Sequence, residues 1–140
     1  MKIYTLTFLL GTLIAGALSG CDPAAPKQAI TREVLLQTSK SWDETPYIAY
    51  PNTPPELSIL KLKIPAHTAL DWHSHPIPNA AYILAGELTV ESKDSGQVRH
   101  FKQGDAVAEM VNTSHRGTTG DKPVELIVFY AGSHGIPLSE

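Results

Sequence analysis

Short apolar segments separated by turn residues run along most of the chain. Leu60, Leu62 and Ile64 alternate with Lys61 and Lys63, the two-residue period of a strand with one covered face. Further strands are predicted at residues 31–39 (an edge strand), 70–75, 80–85, 87–92, 97–101, 106–111 and 124–130. No segment after residue 30 keeps a helical apolar period over three turns. The pattern therefore predicts an all-β domain, either a sandwich or a barrel.

Residues 41–56 break this pattern. They hold Trp42, Tyr47 and Tyr50 together with four prolines, and proline cannot donate to a strand ladder. Such a stretch suits neither a helix nor a central strand, and its large aromatic rings are expected to pack against another apolar surface of the protein. We expect an ordered flap packed on the β-domain, over its mouth.

Composition supports one globular domain. The chain has 140 residues, of which 42% are hydrophobic and 18% charged, and its 11 Pro and 10 Gly favour turns over long helices. Acidic residues outnumber Lys plus Arg by 14 to 11, the formal charge is -3, and no basic run occurs. This is not the charge pattern of a nucleic-acid binder, and we expect no nucleic acid as a partner.

The first residues resemble a bacterial lipoprotein signal peptide. Lys2 is followed by an uncharged stretch over residues 3–20, which closes with Leu18-Ser19-Gly20 before Cys21, the only cysteine. The resemblance implies cleavage after residue 20 and lipidation of Cys21. The alternative is a membrane-spanning anchor of 18 uncharged residues, which would also export the domain.

The expected location follows from this resemblance. We predict a signal peptide over residues 1–20, a tether over 21–30 and a β-domain over 31–140. The domain would be anchored by lipid to a membrane of the bacterial cell envelope and would face the periplasm. Asp22 resembles the signal that retains lipoproteins of enteric bacteria in the inner membrane.

The chemistry centres on two histidines two residues apart. In an extended chain His73 and His75 point to the same side. Pro76 and Pro78 donate no ladder hydrogen bond, so the strand should turn before a new one begins at Asn79. Two imidazoles on one face can share a metal ion if other strands bring further ligands.

These residues resemble the two cupin motifs, G-x5-H-x-H-x3,4-E-x6-G and G-x5-P-x-G-x2-H-x3-N. His73 and His75 fill the H-x-H, Gly86 closes the first motif, and Gly104 and His115 fit the second. The chain departs from the motifs at His67 (Gly), Asn79 (Glu), Met110 (Pro), Asn112 (Gly) and Thr119 (Asn). The resemblance spans about residues 57–130. It implies a single cupin-type double-stranded β-helix, or jelly-roll barrel, with its site inside near one mouth.

The resemblance implies that His73, His75 and His115 hold one divalent transition-metal ion, either Fe, Zn, Ni, Mn or Cu. The alternative is a barrel in which the three histidines only pack or hydrogen-bond. Asn79 would either add a neutral oxygen ligand or hydrogen-bond the proline-rich turn. Without a Glu at this position, the ion would keep its full charge among neutral ligands.

Other candidate residues carry less specific signals. Tyr82 and Phe129 fit strand positions, where core packing and pocket lining are both open. Glu109 precedes the turn of the second motif and is expected on a solvated face, with entry into the site as an acid or base as the alternative. Three histidines outside the core of the motifs are expected at the surface: His67, His100 and His134.

Two functions remain open from the sequence. The first is a metal-binding cupin lipoprotein that acts on a small molecule, as an oxygenase, isomerase or hydrolase. The second is a cupin lipoprotein that binds or senses a small ligand or metal without turnover. In both cases we expect a small-molecule ligand, and a homodimer formed through exposed sheet edges.

Overall fold

The structure, a computed structural model, describes residues 28–140 of the chain. These residues contain seven β-strands and no helix. Residues 33–140 form one compact unit. The strands are β1 (Pro55–Ile64), β2 (Asn79–Ala85), β3 (Glu87–Ser92), β4 (Val98–Lys102), β5 (Ala106–Ala108), β6 (His115–Thr119) and β7 (Val124–Ser133). Within this range no helix is long and apolar enough to cross a membrane. The signal-peptide and lipidation predictions, including Cys21 and Asp22, lie outside the described residues.

The strands form two antiparallel sheets with one shared core. The first sheet has the order β1-β7-β2-β5 and the second has the order β4-β3-β6. Inward side chains of both sheets, such as Ile83 and Val128 from the first and Val90 and Phe101 from the second, belong to one buried cluster. The all-β prediction is confirmed.

Gly86 forms the corner at which the chain leaves one sheet for the other. It lies between β2 and β3 and has φ +82°, in the left-handed region that favours glycine. A Cβ at Gly86 would lie 2.3 Å from the carbonyl oxygen of Pro123, which leads into β7. The corner therefore requires glycine both for its backbone angle and for its space.

Two predicted strands are wrong in the structure. Residues 31–39 form no strand, and Val34 and Leu35 are exposed. The backbone of Trp42 instead donates to the Ala108 carbonyl, so a later segment contacts the end of β5. Residues 70–75 also form no regular strand, because the chain around them bridges β6 only at Ala69 and His73.

The first half of the proline-rich segment, residues 41–56, packs on the β-domain, and its second half is more exposed. Its first half packs on the first sheet, where Trp42 is buried and the Tyr47 hydroxyl donates to the Glu109 carbonyl at 2.6 Å. Its second half leaves Ile48 and Tyr50 exposed. The packed half therefore fixes the backbone just after β5.

The first sheet has apolar residues on its outer side. Leu57, Ile59 and Phe129 are all exposed there. Lys61 and Lys63 both pair with Glu125, at 3.3 and 3.0 Å. The homodimer expected from the sequence would have such a surface to bury, and it stays a prediction.

Candidate metal centre

The fold brings three histidines from two distant segments into one cluster. His73 and His75 lie on the extended segment before β2, and His115 begins β6. Their ring centroids are 4.7 to 5.0 Å apart, and each offers a ring nitrogen within 4.8 Å of the others. The backbones of His73 and His115 exchange two hydrogen bonds, of 3.0 and 2.9 Å, which fix the two segments side by side.

The hydrogen bonds of the three rings settle which nitrogen is free. The Nδ1 atom of His73 contacts the Asp71 carbonyl at 2.8 Å, and that of His115 contacts the Thr113 carbonyl at 2.8 Å. The Nδ1 atom of His75 contacts the Leu138 carbonyl at 2.7 Å. Because a carbonyl only accepts, each Nδ1 must carry the proton. The neutral rings therefore present their Nε2 lone pairs, as metal-binding histidines do.

The last residues of the chain support this arrangement. Ser74, between the two histidines, exchanges two backbone hydrogen bonds of 3.0 Å with Glu140. Ile136 and Leu138 pack against the core. The carbonyl that orients His75 is therefore held in place by backbone pairing and by apolar contacts.

Glu109 is the residue that sequence reasoning placed wrongly. It was expected on a solvated face, but its side chain is only 11% exposed, and its Oε2 lies 3.3 Å from the His115 Nε2. These two atoms are within ion-pair distance, yet both are buried without a hydrogen-bond partner. Glu109 is therefore not on a solvated face: its carboxylate borders the three histidines, which is the alternative that the sequence left open.

Burial and Glu109 act in opposite directions on the histidines. Burial lowers the pKa of His75 below its usual value, against the opposite effect of the hydrogen bond that its Nδ1 donates to the Leu138 carbonyl. Burial acts in the same direction on His115, but Glu109 and the hydrogen bond to the Thr113 carbonyl together with the charge of Asp43 outweigh it, and the pKa of His115 is raised. Burial, followed by the charge of Glu109, raises the pKa of Tyr130. The cluster thus holds one carboxylate whose charge acts on several neighbours.

Asn79 is buried at the start of β2, with one polar atom satisfied and one free. Its Nδ2 donates to the carbonyl of Ile77 at 3.3 Å, and Ile77 lies in the turn between Pro76 and Pro78. Its Oδ1 is buried without a partner. The amide therefore contacts the turn, and its oxygen stays available.

Two departures from the motifs occupy left-handed backbone positions. His67 has φ +54° and Asn112 has φ +55°, and both replace a motif glycine. Asparagine tolerates this region better than most residues. The Asn112 backbone donates to the His75 carbonyl at 2.8 Å, so this turn contacts the site directly.

Tyr130, and neither of the pocket candidates Tyr82 and Phe129, packs against the histidine cluster. Tyr82 and Phe129 have the outward parity of β2 and β7 and line shallow grooves on the outer side of the first sheet. Tyr130, the next residue along β7, is buried, and its ring centroid lies 5.7 Å from that of His75. The shift of one residue moves the aromatic ring to the inner face.

The remaining histidines lie outside the cluster. His67 lies 3.8 Å from Asp121, His134 contacts Glu56, and His100 contacts Thr89. All three histidines are exposed, as the sequence predicted.

Two antiparallel sheets with three clustered histidines, of which His75 and His115 are buried, define a jelly-roll protein with a candidate metal centre. A family model, the cupin domain, matches residues 61–130, which is half of the chain. The chain belongs to this family. No curated protein matches the sequence.

Solved structures agree on the fold. The DMSP lyase DddQ from Ruegeria pomeroyi is 25% identical with a TM-score of 0.54, over 60% of this chain and 42% of the lyase. The polyketide cyclase RemF from Streptomyces resistomycificus is 16% identical with a TM-score of 0.50, over 57% of this chain and 56% of the cyclase. A cupin from Methanocaldococcus jannaschii with a double-stranded β-helix fold is 15% identical with a TM-score of 0.50, over 74% of this chain and 87% of that one. The predicted jelly-roll class is confirmed.

Proposed function

We propose that this cupin holds one divalent transition-metal ion at His73, His75 and His115 and uses it on a small molecule. The observation that carries the proposal is the common orientation of the three rings. Each Nδ1 is taken by a backbone carbonyl, which leaves three Nε2 atoms for an ion. Imidazole nitrogen suits Fe, Zn, Ni and Cu.

The residues of the site also fit an ion electrostatically. The buried atoms without partners include the His115 Nε2 and the Glu109 Oε2, and a cation would satisfy both. When bound, such an ion supplies Lewis acidity, which polarises an oxygen of a ligand or water. Backbone carbonyls hold the three rings, and Tyr130 covers one side of His75.

The metal content of the protein tests this proposal. We expect protein purified without a histidine tag to contain about one transition-metal ion per chain, since three preset imidazoles with open positions form one site. Inductively coupled plasma mass spectrometry measures the ion and its identity. Protein that stays free of metal after incubation with Fe²⁺, Zn²⁺, Ni²⁺, Mn²⁺ and Cu²⁺ in turn would contradict the proposal.

Turnover separates an enzyme from a binding protein. The metal-loaded protein is incubated with a panel of small organic compounds, with oxygen uptake and product formation as readouts. DMSP belongs in the panel, because a DMSP lyase is among the similar structures. Turnover that disappears when the metal is removed supports an enzyme. Ligand binding without turnover across the panel supports the alternative, a binding or sensing protein.

We also propose that the domain is anchored by lipid at Cys21 and faces the periplasm. The support is the small-residue sequence before the only cysteine and the uncharged stretch in front of it. Replacing Cys21 by Ser should prevent lipidation and cleavage, because the thiol that accepts the lipid is lost. Labelling with radioactive palmitate and the apparent mass on a gel measure both steps. An unchanged mass and label in the variant would contradict the proposal, and Ser19→Ala provides the matched control.

A further inference from the structure

We infer that Glu109 supplies the carboxylate ligand of the metal site, in place of the glutamate that the first cupin motif has at the position of Asn79. The inference rests on the metal-binding function proposed above. It assigns a ligand to a residue that lies outside the ligand positions of both motifs.

Register explains how the carboxylate reaches the site. β2 pairs with β5 through Ala80 opposite Ala108, so the next pair along is Asn79 opposite Glu109. The Glu109 backbone donates to the Asn79 carbonyl at 3.1 Å, which continues the pairing. Side chains directly opposite in an antiparallel pair point to the same face. The carboxylate of Glu109 therefore lies beside the neighbouring strand, and it faces the same inner side as Asn79, the position of the motif glutamate.

The distance between Glu109 and His115 fits two ligands of one ion. Transition-metal bonds to histidine nitrogen and carboxylate oxygen are about 2.0–2.2 Å long, which puts neighbouring ligand atoms about 3.0–3.5 Å apart in octahedral or tetrahedral sites. The Glu109 Oε2 and the His115 Nε2 are 3.3 Å apart, and neither has a hydrogen-bond partner.

A supporting role for Glu109 behind His115 does not fit the contacts. A carboxylate that orients a metal-binding histidine bonds the ring nitrogen that does not touch the metal. In His115 that nitrogen is Nδ1, and it already contacts the Thr113 carbonyl. Glu109 faces the other nitrogen, Nε2, on the side from which an ion binds.

The position of Glu109 is fixed on both sides of its backbone. Its N–H bonds the Asn79 carbonyl, and its carbonyl accepts the Tyr47 hydroxyl at 2.6 Å. This gives a role to the packed half of the proline-rich segment, which holds the carboxylate against the histidines. A buried divalent ion among neutral imidazoles would gain a compensating negative charge there.

Cobalt binding to Glu109→Gln tests the inference. The variant keeps the shape of the side chain and removes its charge. Loss of a supporting residue typically costs a metal site about 10-fold to 100-fold in affinity, and loss of a ligand should cost at least as much. Competition with a chelator measures the Co²⁺ affinity of the purified full-length protein. The visible absorption of bound Co²⁺ reports a change in its ligands, which a merely structural role would not cause.

Two further variants complete the experiment. Glu87→Gln changes an exposed glutamate at the start of β3 and should leave both readouts at their original values. Asn79→Glu with Glu109→Gln returns the carboxylate to the motif position and should recover most of the lost affinity. Should Glu109→Gln fail to fold, Glu109→Asp keeps the charge but shortens its reach, and it should weaken Co²⁺ binding and shift the absorption.

The outcomes separate this inference from the proposed function. Weaker Co²⁺ binding with altered absorption in the Glu109 variant, and not in the Glu87 variant, supports the inference. Equal or tighter binding with unchanged absorption overturns it, since Glu109 would then only form an ion pair with His115 that competes with the metal. The three-histidine function would survive that result. If the original protein binds neither Co²⁺ nor any other ion, both the inference on Glu109 and the proposed metal-binding function are overturned.

Discussion

Replacing His75 by alanine is expected to remove the metal from the purified protein. The His75 ring is held in place from several sides, since it is buried, hydrogen-bonded to the Leu138 carbonyl and packed against Tyr130. The substitution removes one of three imidazole ligands, so the affinity should fall by more than the 10-fold to 100-fold typical of a supporting residue, to about 1000-fold or beyond. Metal analysis of the tag-free variant measures this directly.

Thermal unfolding gives a second readout for the same variant. A ligand that binds only the folded state raises the melting temperature. Added Zn²⁺ should therefore raise the melting temperature of the original protein and leave that of His75→Ala almost unchanged. His134→Ala is the matched control, because His134 is exposed, lies outside the cluster and contacts Glu56. Full metal content in His75→Ala would reject the three-histidine site, and equal loss in His134→Ala would show that the effect is not specific.

Replacing Gly86 by alanine is expected to destabilise the whole domain. The new Cβ would lie 2.3 Å from the Pro123 carbonyl oxygen, and the backbone would be held at φ +82°. Left-handed strain costs about 1–2 kcal/mol, and forcing an extra group into packed surroundings costs about 1–3 kcal/mol more. A total of about 2–5 kcal/mol is a large part of the stability of a typical domain. The free energy of unfolding in urea measures the loss.

Gly104 offers the control for this substitution. It has φ +92°, yet no atom beyond its two chain neighbours lies within 4 Å of the position that a Cβ would take. Gly104→Ala should therefore lose only the conformational part, about 1–2 kcal/mol. If both variants lose the same free energy of unfolding, the contact with Pro123 is not the reason that the corner needs glycine.

The histidines and turns could be predicted from the sequence because they obey local rules. Alternation along an extended chain puts His73 and His75 on one side even though residues 70–75 form no regular strand, and Gly86 and Gly104 mark turns in which the backbone takes left-handed angles. His115 was found through its distance from Gly104 in the second motif. These signals depend on spacing along the chain, which the sequence states directly.

Glu109 could not be placed in the same way, because its burial depends on a partner strand. A charged residue after a short apolar segment is usually solvated, and β5 itself ends at Ala108. Only the pairing with β2 shows that residue 109 continues on the inner side. The signal that could have found it is the missing glutamate at Asn79, which leaves a carboxylate to be sought on a neighbouring strand.

Which aromatic residues of β2 and β7 face the inner side could not be predicted from the sequence either. Residues 80–85 and 126–131 are apolar on both faces, so alternation does not say which parity faces inward. The sequence offers Tyr82 and Phe129 as pocket candidates, while the inner position belongs to Tyr130. A predicted edge strand at residues 31–39 failed for a related reason, since three apolar residues in a row carry no strand parity.

The hydrogen bond between the Leu138 carbonyl and the His75 ring connects residues 138–140 to the histidine cluster. Chelation and docking of residues 138–140 must then be thermodynamically linked, because an imidazole with a fixed tautomer binds a cation better than one free to rotate. Each process favours the other. On the proposed metal binding, part of the affinity of the cluster would therefore come from the apolar packing of Ile136 and Leu138, which holds the Leu138 carbonyl in place.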